Sequence, residues 1–225
     1  MRVSLRHGRW AVLAAVGALA LAGCGSSGSA KSSTAGSGGS SGAKSWSKEP
    51  PMTIDPSKKY TMLLHTSQGD VTIALNAAKA PRAVNSFNFL ASRHYFDGTY
   101  CHRLSTSPGL QMLQCGDPTA GATPKDTDGQ NGPGYQFPDE NLAGATYPAG
   151  TVAMANSGPD TNGSQFFLVF GDSQLQPSYT PFGTITAGMA VLTHVAGGGV
   201  SNPGQDGTGR PTIPVELTSV TVTAS

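Results

Sequence analysis

Apolar residues in this chain come in short runs broken by Gly, Pro, Asn and Asp, the rhythm of strands and turns. Residues 60–66 and 70–75 are two apolar-rich runs joined by Ser67-Gln68-Gly69, which predicts a hairpin. Pro81 suits the first turn of a helix, and Val84, Phe87, Leu90 and Ala91 recur at helical spacing behind it. Strands are expected at 100–104 and 110–115, around Ser105-Thr106-Ser107-Pro108-Gly109. Further strands are expected at 151–155, 166–170, 181–185 and 213–222, with one or two helical turns over 189–195. Residues 117–138 hold almost no apolar side chains, and so long a loop tends to be functional or mobile. A Gly-rich stretch, 197–199 and 202–210, is expected as a long flexible connection. Many short strands with two modest helices imply a mainly β fold, a closed barrel with helical caps.

One apolar run breaks this rhythm, at the front. Arg2, Arg6 and Arg9 precede a stretch over 10–21 interrupted only by Gly17. It is short for a membrane span, which needs about 20 residues. Leu21-Ala22-Gly23-Cys24 follows, and this resembles the lipobox of bacterial lipoproteins, in which the Cys becomes the lipidated first residue. Gly, Ser, Ala, Thr and Lys then dominate, a composition that behaves as a flexible coil. The expected organisation is a lipoprotein signal peptide over 1–23, a lipid-anchored Gly/Ser-rich linker over 24–51 and one folded domain over 52–225. Lipidation is assigned to Cys24. The chain carries 14 basic and 13 acidic residues, and without the three leader arginines 11 basic remain. No Lys/Arg run survives, which excludes nucleic acid as a partner.

Turn chemistry is densest in 154–167, Met-Ala-Asn-Ser-Gly-Pro-Asp-Thr-Asn-Gly-Ser-Gln-Phe-Phe, a polar loop whose backbone could be offered to a ligand. The segments CHRL (101–104), LQCGD (113–117), FPDEN (137–141), GTVAMANSGPDTNGSQFFLVF (150–170) and YTPFG (179–183) stand around it. Together, and in this order, they resemble cyclophilin-type peptidyl-prolyl isomerases from residue 60 onward. The resemblance implies a closed eight-stranded antiparallel β-barrel capped by two α-helices. It implies Arg103 as the catalytic residue and Gln114 as the amide that bonds the substrate backbone and steadies the arginine. Asn156 matches the position whose main chain pairs with substrate, with Ala155 beside it, and Gln165 lines the groove. Met112, Phe167 and Leu175 match the apolar lining of the proline pocket. His102 points away from the cleft by strand alternation and is assigned a structural role.

The chain departs from the family pattern in places. The 104–111 segment is longer, so the pocket phenylalanine falls on Leu110 or Gln111, of which Leu110 is preferred. Gln174 stands near the pocket tryptophan of many relatives, and Tyr179 at the histidine of the last wall, where an aromatic ring still stacks on proline. The 118–134 loop does not align. If Arg103 and Gln114 share a cleft, alternation puts Cys101 and Cys115 on opposite sides, so two free buried thiols are expected, unless a bulge intervenes.

The implied chemistry needs neither nucleophile nor metal. Peptide-bond rotation faces a barrier of ~18–20 kcal/mol, and X–Pro bonds interconvert over tens to hundreds of seconds. An enzyme must bind the twisted amide better than either planar form. An apolar grip on the ring, hydrogen bonds to the flanking backbone and a donor at the prolyl nitrogen suffice. The expectation is a monomeric isomerase, lipid-anchored at the outer face of the cell membrane, that acts on proline-containing unfolded or exported polypeptides. Cyclosporin-like macrocycles are a further ligand class. The alternatives are a low-turnover prolyl-peptide-binding or holdase module on the same scaffold, and an adhesion domain used as a spacer. No cofactor or metal is expected, because no His/Cys/carboxylate cluster at metal spacing and no phosphate loop is present.

Overall fold

The computed structural model describes residues 44–225; the leader, Cys24 and most of the linker lie outside them. Strands β1 (Tyr60–Thr66) and β2 (Gly69–Leu75) form the expected hairpin, in register from Thr66↔Gly69 to Tyr60↔Leu75. Tyr60, Met62 and Leu64 on one strand and Val71, Ile73 and Leu75 on the other are buried, the period-2 signature of a sheet covered on one face. Helix α1 (Pro81–Ser92) follows, then β3 (Thr99–Tyr100), β4 (Arg103–Ser107), β5 (Leu110–Cys115), β6 (Thr151–Met154), β7 (Phe166–Gly171) and β8 (Pro181–Ala187). Helix α2 (Met189–Gly197), β9 (Val200–Ser201), β10 (Arg210–Pro211) and β11 (Glu216–Ala224) complete the domain.

Nine strands make one antiparallel sheet in the order β3-β11-β1-β2-β8-β6-β7-β5-β4. Eight of them have four or more residues, and the ninth, β3, has two. The sheet curls, and its two edge strands, β3 and β4, are consecutive in the chain. Cys101 and His102 join them. The Cys101 N–H donates to the Val215 carbonyl (2.9 Å) just before β11, and the His102 N–H donates to the Gln114 carbonyl (3.0 Å) on β5. Two residues thus lead from one edge of the sheet to the other.

Helix α1 lays Ala83, Val84, Phe87, Leu90 and Ala91 on the sheet, and the Phe87 ring stacks on Phe182 with centroids 4.7 Å apart. Its first turn lacks a local cap. The Glu140 carboxylate instead accepts the N–H groups of Arg82 and Ala83, both at 3.0 Å, where the helix dipole favours a negative charge.

Three expectations are corrected. Cys101 and Cys115 form a disulfide rather than two free thiols, with Cα atoms 4.0 Å apart. The alternation argument treats Cys101 as a strand residue, but β4 begins at Arg103, and in the link before it side chains are not bound to alternate. The linker stops short of residue 51. Pro50 is buried, and Asn85 Nδ2 donates to the Pro50 and Pro51 carbonyls at 3.4 and 3.1 Å. The 197–210 stretch is not a featureless connection either, since β9 and β10 pair within it and Gly209 pairs with Leu104.

Strands β5, β6 and β7 carry apolar side chains on both faces, so their sequences do not alternate cleanly between apolar and polar. Leu113, Cys115, Val152, Met154, Phe166 and Leu168 point into the main core. Their alternates Met112, Ala153, Phe167 and Val169 form a second, smaller apolar cluster with Tyr147 on the other face.

Candidate active site

The second cluster is the floor of the site. Leu110, Ala145, Ala155, Leu175 and Tyr179 pack against it while staying partly open to solvent. The aromatic rings meet edge to face: Phe167 and Tyr179 have centroids 5.5 Å apart at 85°. Tyr147 lies beneath. Its hydroxyl donates to the Tyr179 carbonyl (2.8 Å) and accepts the Tyr179 N–H (3.0 Å), which fixes the wall residue by its backbone. Burial pushes the Tyr147 phenol pKa up, so the group stays a neutral donor. Leu110 packs on the Met112 face, whereas Gln111 turns towards Gly171.

A single cross-strand row carries the polar chemistry onto this floor. Arg103 on β4 pairs with Gln114 on β5, Gln114 with Phe167 on β7, and Phe167 with Ala153 on β6. Residues in one row share a face, with neighbouring strands about 4.8 Å apart. The cation, the amide and the aromatic ring are therefore placed side by side by sheet register alone.

The Arg103 guanidinium is half-exposed and held on three nitrogens. Nε donates to Thr208 Oγ1 (3.0 Å), Nη1 to Gln114 Oε1 (3.3 Å) and Nη2 to Asp206 Oδ2 (3.4 Å). Guanidinium has five N–H donors, so two remain for a ligand. The Thr208 backbone and hydroxyl, helped by Arg103, hold the Asp206 carboxyl below the ordinary carboxylate range. Gln114 Nε2 donates in turn to Gln165 Oε1 (2.9 Å), and Gln165 Nε2 donates to the carbonyls of Gly129 (2.9 Å) and Asn131 (2.8 Å). A hydrogen-bonded chain thus runs from the 206–208 turn through Arg103, Gln114 and Gln165 to the 117–131 loop.

That loop is tied from within. Asp117, fully buried, accepts the Thr119 N–H and hydroxyl on Oδ1 and the Gly129 N–H on Oδ2, at 2.7, 2.9 and 2.7 Å. Burial raises its pKa, and the hydrogen bonds from Thr119, Gly129 and Asn131 outweigh this, leaving the carboxyl below its ordinary value. Arg210, paired with Asp128 at 2.6 Å, pins the other side of the loop and also bonds the Gly121 carbonyl. His102 is buried under Gly129, with no partner on either ring nitrogen among the described residues. Burial lowers its pKa, opposed by Asp117 and Asp128. Gly116 lets the chain leave β5 close against the opposite strand, since a Cβ there would lie 2.9 Å from the Gln165 Cα.

Asn156 is busy with its side chain: Nδ2 donates to the Ser178 carbonyl (2.7 Å) and Oδ1 accepts the Gly158 N–H (3.3 Å). Its main-chain N–H and C=O have no partner among the described residues, whereas the neighbouring Ala155 N–H is spent on Gln165 O (2.9 Å). Beside this strip lies a groove of about 790 Å3, bounded by Gln114, Ala155, Asn156 and Gln165, by the 118–136 loop and by Ser47, Lys48 and Glu49.

Every residue expected from the sequence at this site, Arg103, Leu110, Met112, Gln114, Ala155, Asn156, Gln165, Phe167, Leu175 and Tyr179, falls on this one face or its rim. Sequence reading missed Tyr147, Asp206, Thr208 and residues 47–49. Asp206-Gly207-Thr208 had a usable signal, an Asp accepting the backbone N–H two residues on. Among the described residues no group of three or more His, Cys, Asp or Glu is placed to hold a metal.

The geometry has counterparts. The family model for cyclophilin type peptidyl-prolyl cis-trans isomerases matches residues 61–222. A probable peptidyl-prolyl cis-trans isomerase B of Mycobacterium leprae is 47% identical over 164 residues, covering 67% of this chain and 53% of that protein. Its Mycobacterium tuberculosis counterpart is 45% identical over 179 residues, covering 74% and 55%. The chain thus spans about half the length of these curated relatives. A Cryptosporidium parvum cyclophilin type isomerase crystallised in the presence of the dipeptide Ala-Pro superposes with a TM-score of 0.61 at 25% identity, covering 73% of this chain and 99% of that one. The chain belongs to the cyclophilin-type peptidyl-prolyl cis-trans isomerase family.

Proposed function

We propose that this protein is a peptidyl-prolyl cis-trans isomerase. The observation that carries the reading is the Arg103–Gln114–Phe167 row, which sets a guanidinium with two uncommitted N–H groups beside an apolar floor. The prolyl ring sits on Met112, Phe167 and Leu175, between Leu110 and Tyr179. The flanking backbone pairs with the free N–H and C=O of Asn156, and Gln114 bonds the substrate carbonyl side. As the amide twists, its nitrogen recovers a lone pair. An Arg103 N–H then makes a bond that neither planar form can accept, so it favours the transition state alone. A charge-assisted bond of about 1.5–3 kcal/mol made only there is worth about 10- to 100-fold in rate.

The substrates are proline-containing unfolded chains, and the leader and Cys24 support a lipid-anchored enzyme at the outer face of the cell membrane that assists exported proteins. Slow prolyl steps limit folding there when other steps are fast. A protease-coupled assay on an Ala-X-Pro peptide tests the activity and separates an enzyme from a binding module. Metabolic labelling with a fatty acid tests the anchor: label on the wild type and none on Cys24→Ala is the expected result, and equal labelling of both would refute it.

A further inference from the structure

We propose that the end of the N-terminal linker forms a wall of the substrate groove, and that Lys48 on it selects polypeptides with an acidic side chain beside the isomerised proline. This inference rests on the isomerase reading above and adds to it which chains are preferred.

The segment is fixed by residues shaped for it. The Trp46 N–H donates to the Pro133 carbonyl (2.8 Å), and its ring meets Phe89 edge-on with centroids 5.0 Å apart. Gly134, at φ +85°, is the only residue type that fits beneath it: a Cβ there would strike Ser45 Oγ and lie 2.7 Å from the Trp46 carbonyl oxygen. Asn85, wholly buried, accepts the Thr53 N–H at 2.9 Å while its amide nitrogen holds the two prolyl carbonyls. These contacts stop the chain beside the site, not across open solvent.

Ser47, Lys48 and Glu49 are thereby set along the groove that Gln114, Asn156 and Gln165 bound on its other side. Lys48 and Glu49 are the two charged side chains among its lining residues, since burial keeps the Tyr135 phenol neutral. Glu49 faces Arg82 Nη1 at 3.5 Å, which offsets its charge. Lys48 is exposed and has no partner among the described residues, so the groove's uncompensated charge is positive. A substrate seated with its proline on Phe167 and its backbone on Asn156 continues into the groove that Lys48 lines. Glu or Asp within two residues of the proline gains from it, and Lys or Arg loses.

The test compares the full chain in mild detergent on three peptide series, Glu-Pro, Ala-Pro and Lys-Pro, by isomerisation rate and by fluorescence anisotropy of labelled peptides. The wild type should favour Glu-Pro over Lys-Pro by about two- to fivefold, the scale of an exposed ion pair. The preference should shrink as salt shortens the screening length. Lys48→Glu should reverse it, and Trp46→Ala, which frees the segment, should erase it. A Glu-Pro to Lys-Pro ratio unchanged in Lys48→Glu, or a change common to all three series, would overturn the inference while leaving the isomerase reading intact. Absence of isomerisation in every series would sink that reading instead, and the anisotropy ratios would still decide the charge preference.

Discussion

Arg103 is held by groups that do opposite things to it. Thr208 and Gln114 orient the guanidinium without charge, whereas Asp206 at 3.4 Å partly neutralises it. Tyr147 acts at one remove, through both backbone groups of Tyr179. Tyr147→Phe leaves those two groups unpaired, so it should cost about 1–3 kcal/mol in thermal or denaturant unfolding and raise KM more than it lowers kcat. A variant with wild-type KM would show that the Tyr179 wall does not need this tether. Arg103, Gln114 and Phe167 were legible through the resemblance of the CHRL, LQCGD and 150–170 segments to the family, because alternation alone does not tell a pocket face from a core face. Asp206 and Thr208 were not, because a contact between β4 and a turn about a hundred residues later leaves no local pattern.

Among the elements, the β4–β5 hairpin is fixed twice, by five register pairs from Arg103↔Gln114 to Ser107↔Leu110 and by the Cys101–Cys115 bridge at its open end. A loop of this length is worth about 3 kcal/mol of chain entropy when closed. Cys115→Ser, or reduction, should lower the melting temperature clearly while the hairpin register keeps activity at 25 °C. Alkylation of the unfolded, unreduced protein should label neither cysteine, and labelling of both would contradict the bridge. The 117–131 loop hangs on Asp117, whose folded pKa lies below its unfolded value of about 3.9. Its contribution is present above that value and is lost as pH falls through the folded pKa. Asp117→Asn should therefore be less stable than wild type at pH 7, with the gap closing below about pH 4. A gap independent of pH would assign the loop to other contacts. The hairpins were readable from run length and turn residues. The loop was not, because its order comes from one buried carboxylate and not from apolar periodicity.

In the whole molecule, His102 couples the sheet closure to this loop. Its ring is buried without partners, and its pKa is depressed by burial. A neutral buried His is favoured above the unfolded value of about 6.5, and stability declines as pH falls from there through the folded pKa. His102→Phe should flatten the fall of unfolding free energy as pH drops below about 6.5, and an unchanged slope would place the titration elsewhere. The arrangement of the fold follows from strands apolar on both faces: one face of β5, β6 and β7 fills the main core, and the other builds the pocket. Binary patterning announces such strands as buried but cannot say that one of the two faces waits for a ligand. The most direct measurement of the central claim is exchange spectroscopy on a cis/trans Ala-X-Pro peptide with wild type and Arg103→Ala. The wild type should accelerate exchange, and Arg103→Ala should lose about 10- to 100-fold of that rate while still binding the peptide. Equal exchange by the two proteins would contradict the role of Arg103 and, with it, the mechanism.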